Sequence, residues 1–400
     1  MRSGFRFDPP QVEASSELRW LLWRAFGPAG EVLTGVADLD NQTVTDLARR
    51  FDLAVRVGAR TPSETLAAEL GSEPARWFHQ QHAGAAARYL LAEQVCRELA
   101  EAGRLLEIPL VFLKGAALHL GEKVASGSRN MGDIDVLAPE EGARRFQRTL
   151  VEAGCKAFKG RESEHQLQYL SHRSGIGIEV HKIIPGLRFE GGSSATACEL
   201  IERGLVRPAP GMGDGCYLPS DEAMLAHVLV HGIAQHGLSP QGYPMARMLA
   251  DVQDLGADDQ VWRNACRWIE RDASREEVEA VAGLAKCLAA GEDPAEAAVV
   301  EDGAGTMLRH LVAGVLDEGY AQSMKFRGLT AKPKDIGRVR ALAKTLRGAL
   351  LPTKAQIDIL YGPPRTELGY LGRRMWRPFD LVLRALRYGR AWVRHRLSRR

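Results

Sequence analysis

Apolar residues recur at helical spacing through the first hundred positions. Leu18, Leu21, Leu22 and Ala25 share one helical face, and Thr61-Pro62-Ser63-Glu64 reads as a helix start with Pro in the first turn. From 74 to 103 a long Ala-rich amphipathic pattern passes through Trp77, Phe78, Ala85, Ala86, Tyr89, Leu90, Cys96 and Leu99 and stops near Gly103. Gly84 inside it costs a helix about 1 kcal/mol relative to Ala, which argues against one unbroken helix.

The period then shortens. Residues 108–113 are continuously apolar and rich in Val, Leu and Phe up to Lys114-Gly115, which predicts a buried strand with a helix over 116–121 behind it. In Gly132-Asp133-Ile134-Asp135-Val136-Leu137, strand alternation puts Asp133 and Asp135 on one face and Ile134 and Val136 on the other. Pro139-Glu140-Glu141 opens a helix through Phe146, Leu150 and Val151 that Gly154 closes. A short strand is expected over 167–170. Residues 175–184 alternate again, with Ile176, Ile178 and Val180 one way and Glu179 and His181 the other, until Pro185-Gly186.

From Pro219-Ser220-Asp221-Glu222 the chain returns to helical spacing through Met224, Leu225, Val228, Leu229 and Ile233. A loop over 237–240 precedes a helix over 245–255 that carries Asp251. Further helical patterns cover 261–268, 276–288, 294–300, 307–316 and 336–350, with a linker around 330–335. The expected fold class is α+β: a small mixed-sheet core flanked by mainly helical N- and C-terminal regions. The expected divisions are a helical region at 1–103, the α/β core at 104–195, a helical acceptor-side domain at 196–330 and a helical, basic tail at 331–400.

Composition narrows the class without naming it. With 400 residues, a length prior favours two or three domains, and 45% hydrophobic with 26% charged residues is ordinary for a globular protein. The first residues have no apolar leader pattern, and no run reaches the roughly 18 uncharged apolar residues of a spanning helix. Cys96, Cys155, Cys198, Cys216, Cys266 and Cys287 show no paired spacing, so reduced thiols and a cytoplasmic location are expected. The net charge of +3 conceals an asymmetry: residues 364–400 hold eleven Arg against Glu367 and Asp380, a local +9 that leaves the rest at −6.

Two carboxylates on one strand face repel each other, and burying them costs several kcal/mol unless a cation intervenes. A hard divalent ion such as Mg²⁺, one or two of them, is the simplest remedy and commonly holds substrate phosphates as well. Asp133 and Asp135 are therefore expected metal ligands. Glu179 either completes a second metal site or takes the proton from an attacking hydroxyl. Lys114 and Arg129 would neutralise phosphate charge, and Gly115 and Gly132 let backbone approach phosphate oxygens.

The pattern Leu-Lys-Gly-x-Ala, then Arg-x-x-Gly-Asp-Ile-Asp-Val-Leu, then carboxylate–Val–His on a later strand, resembles the uncharacterised nucleotidyltransferase family of the polymerase-β-like superfamily. The resemblance extends over roughly 15–260. In that family the third carboxylate is more often Asp, where this chain has Glu179. The resemblance implies Mg²⁺-dependent transfer of a nucleoside monophosphate from an NTP, expected to be ATP, to an acceptor hydroxyl with loss of pyrophosphate. The acceptor stays open among a small molecule, a peptide, a protein and RNA. The competing reading is a catalytically inactive accessory protein that binds a nucleotide or peptide with the same fold.

Around this core stand residues with two readings each. His181 either orients a carboxylate or contacts substrate. His227, His231 and His236 line or support the acceptor side, or are satisfied core histidines, and Asp251 is a candidate anchor for one of them. No third ligand stands at zinc-protease spacing. The Arg-rich tail, with Phe379 and Trp392 among its apolar residues, either docks on the acidic body, meets a membrane surface, or contacts nucleic acid or another acidic partner.

Overall fold

The computed structural model describes residues 9–31, 33, 35–36, 38–158, 162–163, 165–189, 194–235, 245–256, 258–269, 275–300, 302–317, 319–321, 366 and 369–380. Five helices come first: α1 (Ser16–Phe26), α2 (Asn41–Arg50), α3 (Ala54–Arg60), α4 (Ser63–Leu70) and α5 (Ser72–Leu105). Ser15 caps α1 by accepting from Leu18 N at 3.3 Å, and Asp40 caps α2 by accepting from Thr43 N at 2.8 Å. Gly84 does not interrupt α5, which runs 34 residues in one piece. Packing of its inner positions, such as Phe78, Ala92, Val95 and Leu99, outweighs a local propensity cost of about 1 kcal/mol.

The sheet follows: β1 (Leu110–Leu113), α6 (Lys114–Leu120), β2 (Asp133–Leu137), α7 (Glu140–Glu152), β3 (Lys156–Ala157), β4 (Leu170–Ser171), β5 (Gly177–His181), β6 (Ile184–Arg188), β7 (Ser194–Ala195), α8 (Ala197–Glu202), β8 (Val206–Pro208) and β9 (Cys216–Pro219). Seven strands form one mixed sheet in the order β3-β4-β5-β2-β1-β9-β8, and β6 pairs with β7 separately. β2 runs antiparallel to β1 and parallel to β5, the second pairing being reached through α7. All four β1 residues and Ile134, Val136, Ile178 and Val180 are buried, so the middle of the sheet is covered on both faces. β8 and β9, which the hydrophobic pattern did not reveal, add to the far side of β1, so the sheet takes in residues up to 219.

The remaining helices are α9 (Asp221–Leu229), capped by Ser220 and continued by a widened π-type turn over Val230–Gln235, then α10 (Met245–Asp254), α11 (Asp259–Ile269), α12 (Arg275–Ala289), α13 (Pro294–Val299) and α14 (Gly303–Leu316). These C-terminal helices close on the N-terminal ones. Arg56 on α3 donates to both Asp254 oxygens at 2.7 and 2.8 Å, to Gln253 Oε1 at 2.6 Å and to Ala25 O at 2.7 Å. Arg19 on α1 donates to Asp293, the cap of α13, at 3.0 Å. One compact unit thus takes in the described residues up to 158 and from 162 to 315. A second unit comprises 159–161 and 316–400, of which a helix over 369–380 is described. The expected linker at 330–335, the helix at 336–350 and the tail beyond 380 lie outside the described residues.

Candidate active site

Register brings the acidic residues together. β2 and β5 lie side by side and parallel, with Asp135 opposite Glu179 and Asp133 opposite Gly177. Because side chains alternate, Asp133, Asp135 and Glu179 share a face, with His181 two residues beyond Glu179 on the same side. Asp135 is 3% exposed and His181 5%. Burying an anion that deeply requires partners, and Asp135 has two on one oxygen: Lys114 Nζ at 2.7 Å and His181 Nε2 at 2.8 Å from Oδ1. His181 Nε2 is also 3.4 Å from Glu179 Oε2.

These contacts set the protons. Burial alone would raise the Asp135 carboxyl, but the Lys114 ammonium and the His181 hydrogen bond overcome it and hold it well below the usual carboxylate range. Lys114 and His181 are each pushed down by burial and pulled further up by their acidic neighbours, so both are raised overall. Asp133 goes the other way. Burial, then the negative charges of Asp135 and Glu179, raise its carboxyl.

Lys114 reaches Asp135 from an unusual backbone conformation. It is the first residue of α6 and has φ +46°, the left-handed region that costs a residue with a Cβ on the order of 1 kcal/mol or more. Gly115 beside it has no room for a side chain, because a Cβ there would collide with Arg129 Nη1. Arg129 in turn is held by Asp251 on α10, with Nε–Oδ1 at 2.6 Å and Nη2–Oδ2 at 3.0 Å in a nearly dry pair. Asp251 thus holds a guanidinium that lies 122 residues away in sequence. Gly132 is exposed, and its carbonyl and that of Met131 accept from Arg88 on α5 at 3.3 and 2.6 Å, which fixes the approach to β2.

His227 on α9 lies near this group. His227 is buried, its Nδ1 has no hydrogen-bond partner among the described residues, and burial followed by the Lys114 charge pushes it down to about 3, so it is neutral. His231 lies on the widened turn with its ring centroid 6.1 Å from that of His227. His236 lies outside the described residues.

Two neighbours of the site have no motif to announce them. His165 stacks on His181 with ring centroids 6.3 Å apart. Tyr169, one step along the ladder from the Leu170–Ile178 pair, lays its hydroxyl against Gly177, where a Cβ would collide with the phenol and come within 3.1 Å of Asp133 Cβ. The absence of a side chain in Gly175-Ile176-Gly177 was the one available sign that something approaches there.

The donor set suits a hard dication. Single ligand atoms of Asp135, Glu179 and His181 lie within 4.8 Å of one another, and Asp133 adds a further carboxylate on the same face outside that cluster. Burial first, and then the charges of Asp135 and Glu179, raise the Asp133 carboxyl, and a bound dication would offset the charge part.

A mixed sheet with a carboxylate cluster centred on the buried Asp135 of its central strands, flanked by helices, defines the class as an α+β protein with an acidic, metal-capable site. The family model described as uncharacterised nucleotidyltransferase matches residues 37–290, and the chain belongs to that family. This match contains β1, β2, β5 and every described site residue and runs somewhat further toward the C-terminus than the motif resemblance did. No curated protein and no solved structure matches the chain.

Proposed function

We propose that the chain is a Mg²⁺-dependent nucleotidyltransferase that moves a nucleoside monophosphate from an NTP, with ATP the expected donor, to an acceptor hydroxyl and releases pyrophosphate. The observation that carries this reading is the Asp135–Glu179 register on paired strands, with Asp133 on the same face, within a chain of nucleotidyltransferase family membership. Asp133, Asp135 and Glu179 would hold one or two Mg²⁺ ions, and when bound these supply charge neutralisation for the phosphates and for the leaving pyrophosphate. His181 keeps Asp135 ionised and turned toward the site. Lys114, whose ammonium lies 2.7 Å from Asp135, is the group placed to meet phosphate oxygens beside it. Glu179 is the candidate base, being the less buried carboxylate of the facing pair.

Arg129 takes a supporting part. Its fork is bound to Asp251 and its Nη1 packs on Gly115, so it fixes the turn that aims Lys114 and ties it to α10. α9 with His231, and α10 tied to the site through Asp251, would then flank the acceptor side.

Calorimetry and a pyrophosphate-release assay test the reading together. Wild type is expected to bind an NTP more tightly with Mg²⁺ than without and to release pyrophosphate with at least one acceptor of a broad panel. Asp135→Asn should stay folded and lose both the metal dependence and the release. Identical, metal-independent nucleotide binding by the two proteins would sink the proposal. Metal-dependent binding with no release across the panel would favour the non-catalytic accessory.

A further inference from the structure

The helix over 369–380 turns its apolar side outward. Leu371, Met375, Trp376 and Phe379 are 56%, 69%, 55% and 64% exposed, and the Trp376 and Phe379 rings stack with centroids 6.1 Å apart. At about 100° per residue these four span a continuous arc of about 140°. The opposite arc holds Tyr370, Arg373, Arg377 and Asp380, which are half-buried, with Arg377 Nη1 donating to Asp380 Oδ2 at 2.8 Å. A helix that serves a water-soluble core does the reverse, sinking the apolar stripe and exposing the charges. Contiguous large apolar side chains on the outside mark a contact surface.

Charge chooses among contacts. Arg374 flanks the apolar arc on the Leu371 side, and on the Trp376 side Asp380, paired with Arg377, comes first and Arg373 follows it. The segment 364–400 around them carries a net +9. Nucleic acid would use the guanidiniums and the two rings but leave Leu371 and Met375 in water. A bilayer with anionic headgroups uses all of them, taking aliphatic and aromatic side chains into the acyl boundary while the arginines stay at phosphate level.

We propose that helix 369–380 docks by its exposed face on an anionic lipid bilayer, with Leu371, Met375, Trp376 and Phe379 inserted and Arg373 and Arg374 on the headgroups. This goes beyond the transfer reading and stands independently of it. The test is co-sedimentation of the full chain with vesicles of phosphatidylcholine, with and without phosphatidylglycerol. The chain should pellet with the anionic vesicles and bind neutral ones roughly tenfold or more weakly. Trp376→Ser combined with Phe379→Ser should lose roughly tenfold or more of the anionic binding at an unchanged melting temperature. Should that pair unfold, Met375→Glu, at a position 69% exposed, takes its place with the same expected loss. The proposal is overturned if wild type stays in the supernatant with anionic vesicles, or if the face variants pellet like wild type. It is equally overturned if sedimentation velocity shows a dimer that the face variants dissociate, because a second copy then covers the surface.

Discussion

Asp133 and Asp135 stand two residues apart on one strand face, yet their protons are pushed in opposite directions. Asp135, with two cationic partners, has its carboxyl held below the usual 3.8, so its contribution to stability is present above about pH 4 and is lost as pH falls toward the folded value. His181 is raised above 6.5, so its contribution is present below that pH and disappears as pH rises through the folded value. Urea unfolding across pH should therefore show this cluster contributing most between the two. His181→Asn should flatten the alkaline side, and an unchanged alkaline side would refute the assignment. Asp133 has the reverse sign: its raised carboxyl makes ionisation a cost that grows as pH rises above its usual value. Asp133→Asn is therefore expected to raise stability by on the order of 1 kcal/mol in metal-free buffer while lowering NMP transfer. A loss of stability in that variant would show that neither burial nor the neighbouring charges penalise the ionised carboxylate. The acidic face was readable from alternation in the sequence. The opposite proton affinities were not, since they depend on which of the two carboxylates Lys114 and His181 reach.

Between elements, the β4–β5 edge is the place where a small change should be felt most. Gly177→Ala inserts a methyl group into the Tyr169 phenol and against Asp133. Overpacking of this kind costs about 1–3 kcal/mol, and here it also displaces either Tyr169 or the Asp133 backbone. Removing the obstacle with Tyr169→Ala should recover most of the loss in the double variant. Strict additivity of the two single effects in denaturant melts would mean that the contact is not the cause. Strands β1, β2 and β5 were legible because each has an apolar or alternating run bounded by Gly or Pro. β8 and β9 were not, being three and four residues long and separated by a Gly-rich turn that offers no period to read. Tyr169 escaped for a related reason: its position follows from which strand lies next to β5, and periodicity along a chain does not specify neighbours.

For the larger unit as a whole, cohesion between its two sets of helices rests on buried ion pairs as well as apolar packing. Arg56 joins α3 to α10 and to the end of α1 through four hydrogen bonds. Arg56→Ala leaves Asp254 and Gln253 without that partner and should cost about 3–5 kcal/mol by urea unfolding. Asp254 is already raised by burial despite the pair, so Asp254→Asn should cost distinctly less. Equal losses from the two would contradict the asymmetry. Helix positions on both sides of the sheet were foreseeable from their 3.6-residue spacing, including α7, α12 and α14. Their mutual attachment was not, because Arg56–Asp254 and Arg129–Asp251 join residues 198 and 122 positions apart. Single charged residues carry no pattern that announces such partners.

The parallel pairing of β2 with β5 also constrains how such a chain can change over time. Seventeen residues separate α7 from the first paired position of β4, and connections of this kind absorb insertions at small entropic expense. A slip of β5 by a single position against β2, however, would send Glu179 and His181 to the opposite face of the sheet and bring Ile178 and Val180 in front of Asp135. Length between β3 and β4 is therefore freer to drift than the alignment of β5 against β2. Related chains should differ there in how many residues they spend and agree on which carboxylate ends up opposite which.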